Sequence, residues 1–362
     1  MLQVEVVIFM YISIYCMKFI CCIKRFVHKQ EVCKTIRGLY INKSLHIDKR
    51  FVPKQEAYAA IRAGKFSTVY TGKRRKKEIE RVSKMLNTRT ILALVAFLVG
   101  PAFSKWDGLR VTFGRDPTTF FRVQPRTVAA ATAQGFVPVN NDNCTASSSY
   151  NGRAYVKHGD HSITLLYDVN GFIAGIQAGI TTQEFNANNM VYPNPNVRPP
   201  FVTDGITNDR FIITAYFTDP STICSVGRFQ SDFDLEGTGS GLWLQTGSYP
   251  SNVTRIPMQE SQVGAPWVEG RCFPVMGKHY WYNTTKTMDC YDVTPVFLLY
   301  NGGQLNAFGW SFPLDLASPN YEHPTAPVFP HFFSVIPDCL YQLPKMSTMH
   351  IFLTANPFIN NC

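Results

Sequence analysis

Two histidines beside a predicted tight turn have the spacing in this chain that most resembles a metal site. His158 and His161 flank Gly159-Asp160, so in a two-residue hairpin they would face one another with Cβ atoms ~5 Å apart. Neutral imidazoles bind zinc or copper. Further ligands could come from Asp160, His279, His323, His331 or His350. No third ligand lies at a fixed spacing, however, so the alternative is a pair of solvated histidines beside a turn.

A short acidic run, Asp232-Phe233-Asp234-Leu235-Glu236-Gly237, resembles the first half of a calcium-binding loop. In such loops, oxygens at alternate positions converge around a glycine that permits a sharp turn. The position that should carry a bidentate glutamate is Trp243, which offers no carboxylate. On a strand, the same carboxylates would point to one solvent face. We favour the strand, with calcium binding through Asp232 and Asp234 as the alternative.

Aromatic side chains are concentrated at His279-Tyr280-Trp281-Tyr282. Exposed aromatic rings stack on sugars and line sites for apolar ligands, although tryptophan also fills sandwich cores. Tyr280, Trp281, Tyr282 and Trp243 are therefore the predicted ligand-binding residues. We find no convincing Ser-His-Asp order, papain-type cysteine context or zinc-protease motif, so no reaction can be assigned.

Six widely spaced cysteines predict three disulfides, which form in an oxidising compartment. They are Cys144, Cys224, Cys272, Cys290, Cys339 and Cys362. Without a C-x-x-C pair among them, disulfides are favoured over a zinc site, and the spacing alone does not decide the pairing. Three acceptor triplets for N-glycosylation begin at Asn143, Asn252 and Asn283. Glycans at these positions would place the three loops on the surface.

Residues 105–362 carry repeated strand and turn signals and predict an all-β fold. Arg153–Ile180 predicts a three-stranded meander, and Asn301-Gly302 predicts another hairpin, because Asn-Gly tolerates positive φ. Further strands are predicted at Phe211–Phe217, Leu242–Thr246, His279–Tyr282, Val296–Tyr300, Gln304–Trp310 and His350–Thr354. The expected architecture is an antiparallel β-sandwich or jelly roll, as one large sandwich or as two fused ones with a boundary near 192–204. The apolar, proline-rich stretch 313–344 is expected to pack across a sheet as a lid.

The chain changes character near residue 104. Residues 1–104 hold 20 Lys and Arg against 6 Asp and Glu, whereas residues 105–362 hold 15 against 19. A mildly acidic body with dispersed charges predicts no nucleic-acid partner. Residues 85–104 have the basic start, short apolar run and small-residue cleavage site of a signal peptide, so we expect no stable membrane span in the mature form.

The 84 residues before this signal allow two interpretations. They are either a basic leader outside the fold, with synthesis starting at Met85, or Val6–Ile23 is a signal anchor followed by positive charges. We favour the first interpretation, which gives a leader at 1–84, a signal peptide at 85–104 and a secreted β-rich domain at 105–362.

These observations predict a secreted glycoprotein that acts as an extracellular binding or recognition module. Its expected partner is a carbohydrate, an apolar small molecule or a protein. The first alternative is a secreted metalloenzyme that uses copper or zinc held by body histidines. The second is a structural component of an extracellular matrix or coat.

Overall fold

The computed structural model describes residues 105–113, 120–139, 144, 149–188, 201–204, 209–343 and 345–362. They belong to the unit that spans residues 101–362. The predicted leader, the predicted signal peptide and Asn143 lie outside the described residues. No helix in the described ranges combines the length and the apolar character needed to cross a bilayer.

Two antiparallel sheets make up most of the structure, which confirms the all-β prediction. The seven-stranded sheet has the order β11-β12-β13-β14-β15-β1-β2. Its strands are β1 Arg110–Val111, β2 Arg122–Val123, β11 Trp267–Phe273, β12 Gly277–Tyr282, β13 Val296–Asn301, β14 Gln304–Phe312 and β15 Ser347–Phe352. Strands from both ends of the domain therefore form one sheet, because β1 pairs with β15.

The central part of the chain forms the eight-stranded sheet. Its order is β10-β9-β8-β6-β5-β4-β3, with β7 also paired to β8. Its strands are β3 Phe136–Pro138, β4 Arg153–Lys157, β5 Asp160–Tyr167, β6 Ile173–Thr181, β7 Val202–Thr203, β8 Arg210–Tyr216, β9 Leu242–Gln245 and β10 Val253–Ile256. β4, β5 and β6 are the predicted meander, which is confirmed.

Short helices connect the strands. The α-helices are α1 Val128–Ala133, α2 Thr182–Ala187, α3 Pro220–Ile223 and α4 Gln230–Glu236. The 3-10 helices are Glu260–Gln262, Cys290–Asp292, Ala326–His331, Asp338–Gln342 and Pro357–Ile359.

Helix α4 corrects the strand predicted for the acidic run. The Asp232 carboxylate accepts a hydrogen bond from the Phe229 backbone N–H at 2.9 Å, which satisfies a free donor at the helix start. Gln230 donates to Asp234 one turn later at 2.8 Å. Gly237 ends the helix with a φ of 72°, a value that glycine adopts readily. The cap at Asp232 and the pair of Gln230 and Asp234 therefore stabilise a helix, although the alternating carboxylates favoured a strand.

The inner faces of the two sheets share one hydrophobic core. It includes Leu165 and Ile213 from the eight-stranded sheet and Leu298, Phe308 and Met349 from the seven-stranded sheet, all fully buried. Residues on both sides of 192–204 contribute to this core. Trp106 and Trp310 lie in this core, where each buried aromatic side chain contributes roughly 1.5–3 kcal/mol.

The stretch 313–343 is here called the cover segment. Its first part contributes Leu314, Leu316 and Tyr321 to the sandwich core, and its later part packs on the outer face of the seven-stranded sheet. Phe329, Phe333 and Leu340 from the segment are buried against Trp281 and Phe297 from the sheet. The rings of Phe333 and Trp281 stack with centroids 3.9 Å apart. This packing confirms the predicted lid.

Three disulfides form among the six downstream cysteines, as predicted. Cys144 pairs with Cys224, Cys272 with Cys362, and Cys290 with Cys339. The third bond attaches the cover segment to the connection between β12 and β13.

Candidate functional site

The two histidines of the predicted metal site do not face one another. The hairpin turn consists of His158 and Gly159, which have φ values of 56° and 69°, and Lys157 pairs with Asp160. His158 therefore lies within the turn, exposed, while His161 lies on β5. The prediction of opposed imidazoles is wrong because a two-residue turn of this kind needs two adjacent residues with positive φ, and here they are His158 and Gly159.

Asp160, one of the five possible further ligands, is already hydrogen-bonded. Its Oδ2 accepts from the Ser318 hydroxyl at 2.7 Å and from the Asn320 amide at 3.1 Å. Its Oδ1 accepts from the Ser162 backbone N–H at 2.9 Å. The carboxylate thus fastens β5 to the cover segment. Partial burial lowers the pKa of the neighbouring His161 to about 4.

No other cluster of metal ligands replaces this pair. Across the described residues, no three or more His, Cys, Asp or Glu side chains are grouped so that they could hold a metal ion. Asp232 and Asp234 lie on α4, where they accept hydrogen bonds from the backbone of Phe229 and from Gln230.

The predicted aromatic ligand patch is divided among different surfaces. Tyr280 lies in the sandwich core, whereas Trp281 is buried on the opposite face beneath the cover segment. Tyr282 is exposed and packs edge-on against Trp267 at 5.2 Å. Trp243 lies in the other sheet, with the Arg255 guanidinium 5.1 Å from its ring centroid. Adjacent residues of a strand point to opposite faces, so these four side chains form no common surface.

The structure instead brings together two histidines from distant strands. His279 on β12 and His350 on β15 lie with ring centroids 6.2 Å apart. Phe297 lies between them, at 5.7 Å from His279 and 5.0 Å from His350. Phe113 and Phe352 complete the ring contacts of His350, each at 5.9 Å. We call Phe113, His279, Phe297, His350 and Phe352 the His350 site.

A carboxylate fixes the orientation of the central imidazole. Glu322 Oε2 lies 2.7 Å from His350 Nδ1 and accepts from the Thr348 hydroxyl at 2.8 Å. Its other oxygen accepts from the Phe113 backbone N–H at 2.5 Å. A β-bridge between Glu322 and Thr348 holds the backbone of the cover segment against β15. Both oxygens of Glu322 therefore accept hydrogen bonds, and the contact at Nδ1 fixes the orientation of the His350 ring.

The far nitrogen of the same ring lacks a partner. His350 Nε2 is buried and has no hydrogen-bond partner among the described residues. The rings around it are mostly apolar, and burial of an unpaired polar atom costs ~1–3 kcal/mol. It is one of nine buried side-chain nitrogen or oxygen atoms without a partner among the described residues, and the one that belongs to an imidazole.

His279 is the second imidazole of the site and is held neutral. Its Nδ1 lies 3.1 Å from the Arg271 carbonyl oxygen, and its ring stacks near Trp281 at 6.0 Å. Burial, together with the nearby His350, lowers the pKa of His279 to about 3. A shell that keeps one imidazole uncharged is suited to an uncharged ligand.

Burial of His279 predicts a loss of stability in acid. In the unfolded chain His279 has its ordinary pKa of about 6.5, but in the folded protein its pKa is about 3. The stabilisation that the buried, neutral His279 gives the folded protein is therefore fully present above pH 6.5 and is lost as the pH falls. Between pH 7 and pH 4 we expect wild-type protein to lose about 3 kcal/mol more unfolding free energy than His279→Phe.

Urea unfolding at several pH values measures this difference. His158→Asn is the matched control, because His158 is exposed and asparagine tolerates its positive φ. The control should follow the wild-type profile. Parallel profiles for wild type and His279→Phe would contradict the explanation.

Sequence reasoning named His350 only as a possible additional metal ligand, named His279 as such a ligand and as part of the aromatic patch, and did not find Glu322. The local pattern does place both histidines on strands. Their meeting depends on sheet order, because β13 and β14 lie between their strands. Glu322 lies within the proline-rich stretch, where no periodic pattern indicates which side chains point inward.

Comparison with known proteins finds no matching family model, no matching curated protein and no matching solved structure. Function therefore has to be argued from the site. Its chemistry is an oriented imidazole with one free nitrogen among aromatic rings. This arrangement can bind a single polar group of a mainly apolar molecule.

Proposed function

We propose that this protein is a secreted binding module whose ligand is a small, mainly apolar molecule held at the His350 site. The observation that carries the proposal is the buried, unpartnered Nε2 of His350, oriented by Glu322. A ligand that hydrogen-bonds to this nitrogen would remove the desolvation cost, and aromatic side chains are common in such sites.

Secretion is the cellular part of the proposal. Three disulfides and the signal-like sequence at 85–104 support it, since disulfides persist in oxidising compartments. Asn252 and Asn283 are exposed, so both are open to glycosylation.

The secreted product itself checks this part. When the full chain is expressed in cells with a secretory pathway, we expect a mature N-terminus at Lys105 and oxidation of all six downstream cysteines. We also expect a mass decrease upon enzymatic removal of N-glycans. N-terminal sequencing and intact mass measure these features. A cytosolic product that retains residues 1–104 and free thiols would contradict secretion.

Ligand binding is tested on the same secreted protein with 2-naphthol as the probe. We expect saturable binding that shifts the imidazole resonances of His279 and His350 in the NMR spectrum. The resonances of His158 and His161, which lie on the other sheet, serve as an internal control and should not move. Absence of saturable binding, or shifts confined to the control histidines, would refute the proposed site.

A metal ion is the competing occupant. A histidine whose Nδ1 is hydrogen-bonded to a carboxylate often binds zinc or copper through Nε2, and His279 supplies a second imidazole nearby. Metal analysis of the protein, purified without chelators, distinguishes a metal ion from an apolar ligand as the occupant of the site. A stoichiometric transition metal that is lost in His350→Phe would favour the metalloenzyme.

A further inference from the structure

We infer that the ligand of the His350 site is a ring-containing apolar molecule with a hydroxyl group, and that its O–H donates to His350 Nε2. This inference rests on the proposed function and specifies the class of molecule bound. It is carried by the tautomer of His350, by the composition of the surrounding shell and by the exposure of Phe113.

The contact with Glu322 decides which hydrogen-bonding role Nε2 plays. Glu322 Oε2, 2.7 Å from Nδ1, is an acceptor, so Nδ1 carries the hydrogen. In a neutral imidazole the other nitrogen then presents a lone pair. When the His350 ring is neutral, the complement to Nε2 is therefore a hydrogen-bond donor on the ligand.

The shell around Nε2 favours an apolar body with few polar groups. Phe113, Phe297 and Phe352 lie 5.0–5.9 Å from the His350 ring, at distances typical of aromatic packing. A sugar would bring several hydroxyl groups into this shell, and those without a partner would be costly to bury. A flat hydrocarbon ring system with one hydrogen-bond donor packs against the aromatic rings and also donates to Nε2.

Charge distinguishes a hydroxyl from other polar groups. An ammonium group would have to be desolvated among aromatic rings next to His279, which burial keeps neutral. A carboxylate has no hydrogen to donate to the lone pair and would add a second negative charge on the far side of the imidazole from Glu322. An uncharged phenol or alcohol avoids both costs.

Among the rings of the His350 site, Phe113 is the least covered, so a ligand would have to enter on its side. Phe113 is partly exposed, whereas Phe297 and Phe352 are fully buried. Its backbone N–H is bonded to Glu322 at 2.5 Å, so its position and that of His350 depend on the same carboxylate.

Three probes of nearly equal shape test the inference on the secreted full-chain product. They are 2-naphthol, 2-methylnaphthalene and 2-naphthoate, with affinities measured by titration calorimetry. The hydroxyl and methyl probes differ in the donor but hardly in volume. We expect the ratio of their affinities to favour 2-naphthol about 10- to 100-fold more in wild type than in His350→Phe, because only wild type leaves Nε2 unpaired beside a methyl group.

Two further measurements keep the test independent of one variant. Binding of 2-naphthol should move the ¹⁵N resonance of His350 Nε2 in the direction of an accepted hydrogen bond. His161→Phe is the matched control on the other sheet and should retain the wild-type ratio. If His350→Phe fails to fold, the ¹⁵N shift together with the wild-type preference for 2-naphthol over 2-naphthoate decides the question.

The outcomes separate the inference from the proposed function. Equal ratios in wild type and His350→Phe, with binding at the site retained, would overturn the inference and leave the binding module in place. Tighter binding of 2-naphthoate than of 2-naphthol would also overturn it. If none of the three probes binds, both the inference and the proposed function fail.

Discussion

Arg228→Met is expected to lower the free energy of unfolding by about 3–5 kcal/mol, because it strands a buried charge. Asp168 is fully buried, and one of its oxygens accepts from the Arg228 backbone N–H at 2.9 Å and lies 3.9 Å from Arg228 Nε. The guanidinium also donates to the carbonyl oxygens of Ile173 and Gly237. Methionine keeps the backbone contact but removes the positive charge and both carbonyl contacts. Urea denaturation with circular dichroism measures the loss.

Asp168→Asn combined with Arg228→Met tests the cause. Removing both charges should recover part of the stability lost in the single variant, because no isolated charge remains buried. Arg255→Met is the matched control, since Arg255 is exposed and its guanidinium lies 5.1 Å from the centroid of the Trp243 ring. The control should lose less than about 1 kcal/mol. This account would be contradicted if the double variant lost as much unfolding free energy as the two single variants lose together.

Joint replacement of Cys272 and Cys362 by serine is expected to lower the free energy of unfolding by about 4 kcal/mol. The two cysteines are 90 residues apart in sequence, so their bond removes much of the chain entropy of the unfolded state. Both residues are exposed, and little packing is lost with their sulfur atoms. The loss therefore reports on the unfolded chain more than on native contacts.

Thermal and urea unfolding of the secreted variant give this value. Ile359→Ser, an exposed change in the same terminal segment, is the control and should remain within about 0.5 kcal/mol of wild type. A loss below about 1 kcal/mol in the double cysteine variant would show that the bond constrains the unfolded chain little.

The sequence predicted the strands that have strong local patterns. The meander over Arg153–Ile180 and the hairpin at Asn301-Gly302 were recognised because their apolar runs end at residues that accept positive φ. The observed second turn uses Gly302 and Gly303, one residue later than predicted. Very short strands such as Arg110–Val111 were not predicted, since two residues carry no periodicity and their pairing depends on a strand far along the chain.

The candidate site was predicted less well than the fold. A shift of one residue in the hairpin at His158 was enough to separate two imidazoles that had been expected to face each other. The contact between Glu322 and His350 spans 28 residues. It depends on how an irregular, proline-rich segment crosses the sheet, and alternating hydrophobicity carries no information about that path. Local physics therefore locates strands, whereas the site depends on long-range packing.

The pairing of β1 with β15 has a consequence for biosynthesis. Arg110 lies opposite Phe352, so the first strand of the described residues can pair fully only after one of the last has been synthesised. At roughly 5–20 residues per second, this delay lasts on the order of tens of seconds, while the middle sheet can already assemble. The exposed edge of the early strands during that time is a target for chaperones and for aggregation, and a premature stop before β15 would leave it without its partner.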